Sequence, residues 1–364
     1  MIPDREFLER FYDKEEVEIL WSLKLATQNL PRAEASAMVR RALHELWDNE
    51  ADYIQNTHLI TTKDRGVVVF RWNRAQRKFY EDTIQLARKE RRPIRIIVTK
   101  ARQMGFSTLI ASWLFHQVDE HPWKQAIVVN FDDVNTAELF RKTDFLQTNS
   151  YCPRETIRQS KGVLEFKRPH GSSYHTRSAG SFEVGRSMTF QFAHATEIPL
   201  WPDPERTFVA LRQSIPSLEG TAIIQEATAR GAQGHHYQEW RRAERGESQY
   251  IPFFAPWFWD PEYTMPFQSD DHRRRFGRSL SPQDEEYQKR YGLTLEQMQW
   301  RRWKIDNDLN GDLRKWCEEY PASAHEAFMT TGSMVFRTED LLALEQGCTP
   351  PLWIGDAFLQ QAAP

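Results

Sequence analysis

Short runs of apolar and β-branched residues alternate with longer segments of helical periodicity across the middle of this chain. Four apolar runs predict strands buried on both faces, at 94–99, 126–130, 189–195 and 222–226. Segments with apolar residues at helical spacing predict helices at about 74–89, 108–118 and 134–146. Strands that alternate with helices favour an α/β fold, with a mostly parallel sheet covered on both faces.

The segments on either side of this region have a different character. Residues 1 to about 55 carry apolar positions near helical spacing, with Pro31 between two amphipathic runs, and predict a helical segment. Two β-rich stretches, 163–167 and 172–177, predict an inserted hairpin. The later part is polar and helical in pattern. We therefore divide the chain into an N-terminal helical segment 1–65, a core 66–260, a helical subdomain 261–340 and a linker 341–364.

Composition excludes several classes of protein. The 364 residues carry 48 Lys and Arg against 51 Asp and Glu, a formal net charge of −3, which excludes a uniformly cationic nucleic-acid-binding surface. No apolar run approaches the roughly 20 residues that span a bilayer, and the first residues lack a secretion signal, so we expect a cytoplasmic protein with no membrane partner. Cys152, Cys317 and Cys348 are too few for a disulfide framework or a zinc site.

The strand at 94–99 leads through Gly105 into a helix that begins with Ser107 and a threonine. A strand, loop and helix of this kind directs several backbone N–H groups and the positive helix end at one point, which suits a phosphate chain. The usual phosphate-loop consensus places a lysine where this sequence has Phe106. An ordinary strand-to-helix turn with a Ser-Thr N-cap is therefore the alternative interpretation.

Two basic residues compensate for the missing lysine. Lys100 and Arg102 stand at the front of the loop, and their side chains are long enough to fold back over phosphates. Ser107 keeps the hydroxyl that holds Mg²⁺ in such loops. A phosphate site at this loop is thus compatible with the residues present.

Two of the predicted strands end in residues that suit nucleotide hydrolysis. Thr196 and Glu197 follow the strand at 189–195, where such sheets keep a carboxylate that polarises the attacking water. Thr196 stands where an aspartate is usual, and its hydroxyl can hold a metal-bound water but cannot neutralise Mg²⁺. Thr228 follows the strand at 222–226 and suits a sensor of the γ-phosphate. A surface acid and a plain turn are the alternatives for Glu197 and Thr228.

Five blocks of sequence occur in an order that matches one family. They are FRWNRAQ at 70–76, KARQMGFST at 100–108, HATEIPLWP at 194–202, EATARG at 226–231 and YPASAHEAF at 320–328. Together they resemble the large terminase subunits of tailed bacteriophages, the ATP-driven motors that package DNA into procapsids. The basic residue displaced forward in the second block is distinctive of that family, and the resemblance extends over about 70–336.

The resemblance implies a P-loop (ASCE-type) ATPase core that binds ATP with Mg²⁺, an extra antiparallel element and a helical lid. Gln76 matches the adenine-reading glutamine of the family. The cofactor-binding positions that match the phosphate loop are Lys100, Arg102, Gln103, Gly105, Ser107 and Thr108. By the same match, Ser107 and Thr196 take the metal positions, Glu197 the catalytic acid position and Thr228 the coupling motif.

Two arginines compete for the role of arginine finger. Arg186 is similar to a family arginine that reaches the nucleotide of a neighbouring subunit, whereas Arg102 would act within its own chain. The sequence leaves this choice open.

The resemblance also implies partners and a location. We expect ATP hydrolysis to drive double-stranded DNA translocation by a homo-oligomeric ring, with portal protein and the small terminase subunit as partners, in the host cytoplasm. The basic runs 272–278 and 301–304 suit contacts to DNA phosphates, although exposed helical faces often carry such runs. The family continues into a nuclease domain for which we find no room here, so we expect no nuclease activity.

Two other functions remain open. A helicase-type translocase would use the same nucleotide chemistry to separate strands. A scaffold whose nucleotide fold has lost turnover would explain Phe106 in place of lysine and Thr196 in place of aspartate.

Overall fold

A computed structural model describes residues 1–62, 64–181 and 188–328 of the chain. Its strands are β1 (Leu59–Thr62), β2 (Gly66–Val69), β3 (Ile94–Lys100), β4 (Gln125–Asn130), β5 (Thr156–Ser160), β6 (Val163–Phe166), β7 (Ser173–Ser178), β8 (Phe192–Thr196), β9 (Ala222–Ala227) and β10 (Ile251–Ala255). The helices of the first half are α1 (Arg5–Phe11), α2 (Lys14–Thr27), α3 (Arg32–Leu46), α4 (Glu50–Thr57), α5 (Arg74–Phe79), α6 (Leu86–Lys89), α7 (Phe106–Glu120) and α8 (Asp133–Thr148). Those of the second half are α9 (Pro204–Ser214), α10 (Gly234–Glu244), α11 (Asp270–Arg278), α12 (Pro282–Tyr291), α13 (Leu295–Asp308), α14 (Leu313–Glu319) and α15 (Ala324–Phe328).

Eight of the strands form one sheet, in the order β10-β3-β9-β8-β4-β7-β6-β5. The first six of these pair in parallel, and β6 is antiparallel to both of its neighbours. The expected α/β fold with a mostly parallel sheet is confirmed. Because the carboxyl ends of parallel strands lie at one edge, the ends of β3, β8 and β9 meet there with the residues that follow them.

Alternate residues of the central strands face different layers of helices. Ile96 and Val98 of β3 join the core under α7, whereas Ile97 between them packs with residues of α9 and α10, among them Phe208 and Trp240. The strands are buried on both sides, which explains why they appear in the sequence as continuous apolar runs.

Three details differ from the sequence-based expectations. The expected hairpin at 163–177 corresponds to β6 and β7, but β7 pairs in parallel with β4, so the hairpin extends the main sheet. The helix expected at 74–89 contains a π-helical stretch, Tyr80–Gln85, between α5 and α6. The boundary expected at residue 65 falls inside a two-stranded sheet, since Leu59 of β1 pairs with Val69 of β2.

The helical segment at the N-terminus has its own apolar cluster, which includes Leu8, Leu20 and Leu43. Glu50, the first residue of α4, connects this segment to the core. Its carboxylate accepts hydrogen bonds from the Trp113 indole at 2.8 Å and from the Tyr80 hydroxyl at 2.9 Å, and it pairs with Arg88.

The helices from α11 to α15, which we call the lid for the role expected of them, pack against the core through aromatic side chains. The Trp300 ring stacks on Tyr263 with 4.5 Å between centroids and on Trp257 with 5.5 Å, and Trp316 stacks on Tyr320. Many of the tryptophans that composition alone could not place therefore belong to the interior.

The cysteines lie apart from one another as free thiols in the part of the chain that the structure describes. Cys152 is buried and Cys317 is half-buried, and both are free thiols, while Cys348 lies outside the described residues. In the described part of the chain, the helices are too short or too polar to cross a bilayer. The linker expected at 341–364 also lies outside the described residues.

Candidate active site

The loop between β3 and α7 places a helix N-terminus at the carboxyl edge of the sheet. Gly105 is the N-cap of α7 and has φ of +74°, a left-handed conformation that favours glycine. A Cβ atom at Gly105 would lie only 2.7 Å from Nε2 of Gln76, so a larger residue here would also have to displace the buried amide of Gln76. The first backbone N–H groups of α7 have no partner within the helix and face the end of the loop.

The aromatic residue that replaces the consensus lysine belongs to the core. Phe106 is 1% exposed, and its ring packs edge-on against Phe79 at 5.6 Å and near Phe253 at 6.1 Å. A lysine at this position would bury its ammonium group among aromatic rings. Lys100, the basic residue expected to act in its place, is the last residue of β3 and is 5% exposed.

A single buried carboxylate connects the start of α7 to the end of β8. The Ser107 hydroxyl donates to both carboxylate oxygens of Glu226 at 3.0 Å, and the Thr196 hydroxyl donates to Oε2 at 2.9 Å. Nζ of Lys100 lies 3.2 Å from Oε1, and Nε2 of His194 lies 3.0 Å from Oε2. Three predicted site residues, Lys100, Ser107 and Thr196, therefore meet at one side chain.

These partners stabilise the negative charge of Glu226. Its side chain is fully buried, and burial alone would raise its pKa, but the Lys100 ammonium and the hydrogen bonds from His194 and Thr196 hold the pKa well below its ordinary value. The carboxylate is therefore ionised at neutral pH and supplies negative charge at the floor of the site.

Glu197 follows β8 in an unusual backbone conformation. Its φ is +55°, and its backbone N–H donates to the carbonyl of Glu226 at 3.0 Å before the 3₁₀ helix Ile198–Leu200 begins. The side chain is half-buried. Burial raises the pKa of Glu197, the Lys100 charge lowers it and the Glu226 charge raises it again, for a net increase. A carboxylate with a raised pKa binds a proton more readily than an ordinary one does.

The side chain of Arg102 is directed toward the lid. Its Nη1 lies 2.8 Å from Oε2 of Glu319, and its backbone N–H donates to the Glu319 carbonyl at 2.8 Å. The Tyr263 hydroxyl donates to the carbonyl of Arg102. The expected fold-back of Arg102 over phosphates would therefore require the arginine to leave Glu319, whereas Lys100 already faces the interior of the site.

Gln76 supports the loop directly. Its Nε2 donates to the Gly105 carbonyl at 3.0 Å, and its Oε1 accepts from the Asn73 backbone N–H at 2.9 Å as part of a capping box at the start of α5. The side chain is 3% exposed. The role of Gln76 in adenine binding stays a prediction, and in this structure the amide holds the loop in place.

The other predicted positions lie near the site or outside the described residues. Thr108 accepts a hydrogen bond from Nζ of Lys142 at 3.2 Å, and Gln103, in the loop, has φ of +58°. Thr228 lies one residue beyond β9 and is half-buried. Arg186 falls in a part of the chain that is not described.

The two basic runs in the lid differ in exposure. Arg301 pairs with Asp284 at 3.0 Å, and its guanidinium lies 4.5 Å from the centre of the Tyr287 ring, so the run 301–304 helps to pack the lid. The arginines of α11 lie at the surface. A role for them in DNA contacts stays a prediction.

Sequence reasoning missed the central acid, Glu226, together with His194, Lys142 and Glu319. One signal for Glu226 was present, because Gln225 and Glu226 interrupt an otherwise apolar strand, and an acid inside a buried strand needs specific partners. No comparable signal marked Glu319, whose contact with Arg102 spans more than 200 residues of sequence. Within the described ranges, no group of three or more His, Cys, Asp or Glu side chains is placed to hold a metal ion.

Comparison with solved structures finds the same kind of protein that the five sequence blocks resemble. The large terminase ATPase domain of Thermus phage P74-26 is 16% identical, with 70% of this chain and 99% of that domain covered and a TM-score of 0.42. The HK97 bacteriophage large terminase is 14% identical, with 65% and 49% covered and a TM-score of 0.43. The large terminase of the thermophilic bacteriophage D6E in complex with ADP is 13% identical, with 60% and 52% covered and a TM-score of 0.39.

The chain thus spans about half the length of the D6E and HK97 large terminases. No protein-family model matches the sequence, and no curated protein matches it.

Proposed function

We propose that this chain is an ATPase, the motor domain of a phage large terminase, and that it hydrolyses ATP to move double-stranded DNA into a procapsid. The observation that carries the proposal is the meeting of Lys100, Ser107 and Thr196 at one buried carboxylate, Glu226, with Glu197 directly beyond Thr196. An ordinary strand-to-helix turn needs none of these contacts, whereas a phosphate site needs a basic group, a hydroxyl and an acid at this edge.

The triphosphate would lie across the first turn of α7. The free backbone N–H groups that begin at Phe106 and the ammonium of Lys100 would bind its oxygens. Gly105 permits the backbone to approach closely, and Gln76 holds the loop from behind.

The residues present fit a magnesium ion. The Ser107 and Thr196 hydroxyls converge on the Glu226 carboxylate, so the site offers oxygen donors, which Mg²⁺ prefers. Ser107 and Thr196 would hold the ion together with the phosphates. When bound, Mg²⁺ offsets phosphate charge and polarises the γ-phosphate.

Glu197 would act as the general base. Its raised pKa and its place beyond β8 let it take the proton of the water that attacks the γ-phosphate, while Thr196 beside it orients the metal side of the site. Its left-handed backbone is a strained conformation for a non-glycine residue, of the kind that persists where the surrounding structure fixes it. Thr228, beyond β9, would sense the γ-phosphate and couple its loss to the lid.

Positive charge for the transition state would come from an arginine. Arg186 is our candidate for action on the nucleotide of a neighbouring subunit, and Arg102 is the candidate within the same chain. A finger supplied in trans would make hydrolysis depend on protein concentration, so a rate per chain that rises with concentration and is abolished in Arg186→Ala favours Arg186. A concentration-independent rate that is lost in Arg102→Ala favours Arg102.

The working assembly we propose is a homo-oligomeric ring in the host cytoplasm, with duplex DNA, portal protein and the small terminase subunit as partners. Exposed arginines of α11 would contact DNA phosphates without reading sequence.

Glu197→Gln tests the proposal, because it removes the base and keeps the shape and the phosphate donors. We expect phosphate release to fall about 100-fold or more, with ATP affinity changed less than about 3-fold. Glu219→Gln, an exposed acid before β9, is the matched control and should keep the wild-type rate. Equal turnover in Glu197→Gln would exclude Glu197 as the base, and a wild-type chain that binds no ATP would exclude the proposed function.

A further inference from the structure

The end of β8 lacks the carboxylate that a magnesium site of this kind uses, and the neighbouring strand carries one at the same level. Thr196 of β8 and Glu226 of β9 are paired in the register of the two parallel strands. We propose that Glu226 supplies, from β9, the metal-holding carboxylate that Thr196 cannot provide, an inference that rests on the proposed ATPase function.

Glu226 contacts the two hydroxyls that are expected to hold the metal ion. Its two oxygens accept hydrogen bonds from Ser107 at 3.0 Å and from Thr196 at 2.9 Å. Ser107 opens α7 beside the phosphate position, and Thr196 ends β8. The carboxylate therefore lies between the two hydroxyls to which a magnesium ion or its bound water would attach.

The charges in the site give a physical reason why a metal ion would bind between Glu226 and the phosphates. Nζ of Lys100 lies 3.2 Å from the Glu226 carboxylate, and Lys100 is also the residue expected to bind phosphate. A polyphosphate that binds to Lys100 brings several negative charges toward the fully buried Glu226 carboxylate. In a site of low dielectric this repulsion is strong unless a cation lies between the two anions.

A purely structural role for Glu226 makes a different prediction. If the carboxylate only fixes Lys100, Ser107 and Thr196 in place, its loss would weaken nucleotide binding equally with and without metal. If it holds the ion, its loss would remove only the part of the affinity that depends on metal, because the neutral amide introduced by Glu226→Gln would not repel the bare nucleotide.

The test is a calorimetric titration of the full chain with ADP, in Mg²⁺ and in EDTA, for wild type and Glu226→Gln. We expect Mg²⁺ to raise the affinity of wild type by about 30-fold and that of Glu226→Gln by less than about 3-fold. Binding of Mn²⁺ followed by electron paramagnetic resonance in the presence of ADP gives an independent readout. It should show one tightly bound ion per wild-type chain and loss of that ion in the variant.

Two further variants distinguish the loss of the Glu226 charge from a general disturbance of the fold. Glu239→Gln removes another buried acid, in α10, whose carboxylate pairs with Arg212 at 2.9 Å, and it should keep the metal effect. The double variant Thr196→Asp with Glu226→Gln returns an acid to β8 and should recover at least half of the lost metal effect on a logarithmic scale. This double variant decides the question if Glu226→Gln does not fold.

The outcomes distinguish the two proposals. A full magnesium effect retained in Glu226→Gln, or no recovery in a folded double variant, would overturn the role of Glu226 and leave the ATPase proposal intact. A wild-type chain that binds ADP neither with nor without metal would overturn both.

Discussion

The guanidinium of Arg102 and the carboxylate of Glu319 form an ion pair at 2.8 Å that connects the loop after β3 to the end of α14. The pair is reinforced by a backbone hydrogen bond between the same two residues. Arg102, the first charged residue of the loop between β3 and α7, is therefore attached to the lid. A change in the loop that moves Arg102 would also act on the lid.

Glu319→Gln should release Arg102 with little effect on folding. The arginine side chain is 57% exposed, and exposed ion pairs contribute only about 0–1 kcal/mol, so the unfolding free energy should change by less than about 1 kcal/mol. ATP affinity should stay the same or rise, because Arg102 becomes free to face the phosphates. Urea denaturation and ATP titration of the same variant measure both. A fall in ATP affinity would show that Arg102 supports ATP binding while it is paired with Glu319.

Gly105→Ala should disrupt the loop more than the backbone conformation alone explains. Position 105 combines φ of +74° with a neighbour, Gln76, only 2.7 Å from the added Cβ. Gly292 is a matched control, since it has φ of +63° and nothing within 4 Å of a Cβ. We expect Gly292→Ala to cost about 1 kcal/mol and Gly105→Ala about 2–4 kcal/mol, with loss of nucleotide binding only at position 105. Equal costs in denaturant unfolding would argue against the close packing on Gln76.

Phe106→Lys places a lysine at the position where the consensus phosphate loop has one, and should nevertheless damage the protein. The side chain is 1% exposed and packs on Phe79 and Phe253, so the substitution buries a charge and removes an aromatic ring. We expect a loss of more than about 3 kcal/mol in unfolding free energy, against about 1 kcal/mol for Phe106→Leu. Phosphate release should not increase in Phe106→Lys. A stable variant with faster turnover would mean that the loop can accept a lysine at the usual position.

The central strands could be predicted from sequence, because a strand buried on both faces must be apolar along its whole length, whereas no run predicted β1, β5 or β10. The runs at 94–99 and 126–130 differ from β3 and β4 by one residue each. The membership of β7 in the main sheet could not be predicted, because its short run of residues fits an isolated hairpin and a sheet strand equally. Only the parallel pairing with β4 distinguishes the two. The π-helical turn between α5 and α6 has no pattern of its own in the sequence.

The candidate site was only partly predictable for a similar reason. Lys100 and Ser107 belong to a local motif whose geometry follows from one strand, one loop and one helix. Glu226 reaches them from 119 residues away along the chain, through the pairing of β9 with β3 and β8. Local pattern carries no information on which strands are neighbours, so the acid that joins the loop to Thr196 became visible only in the folded structure.

Glu50 should make the attachment of the helical segment sensitive to acid. Burial alone would raise its pKa, but hydrogen bonds from Arg88 and Gln117 lower the pKa from its ordinary value of 4.5 to about 2. Because the folded-state pKa is depressed, the stabilisation is fully present above pH 4.5 and is lost as the pH falls toward 2. It amounts to about 3 kcal/mol at neutral pH.

Urea unfolding of wild type and Glu50→Gln measures this contribution. The difference in stability between them should be large at pH 7 and should shrink steadily below pH 4.5. Glu45→Gln, an exposed acid on α3, is the control and should follow wild type at each pH. A difference between wild type and Glu50→Gln that stays constant with pH would show that the carboxylate charge is not what holds the segment.

Nucleotide binding, with the phosphates on the loop between β3 and α7, can be observed in an experimental structure of the chain with ADP. We predict that the diphosphate lies against the first turn of α7, within hydrogen-bond distance of backbone N–H groups at Gly105 to Ser107 and of Nζ of Lys100. ADP bound elsewhere, with Lys100 still paired only to Glu226, would show that this loop is not the phosphate site.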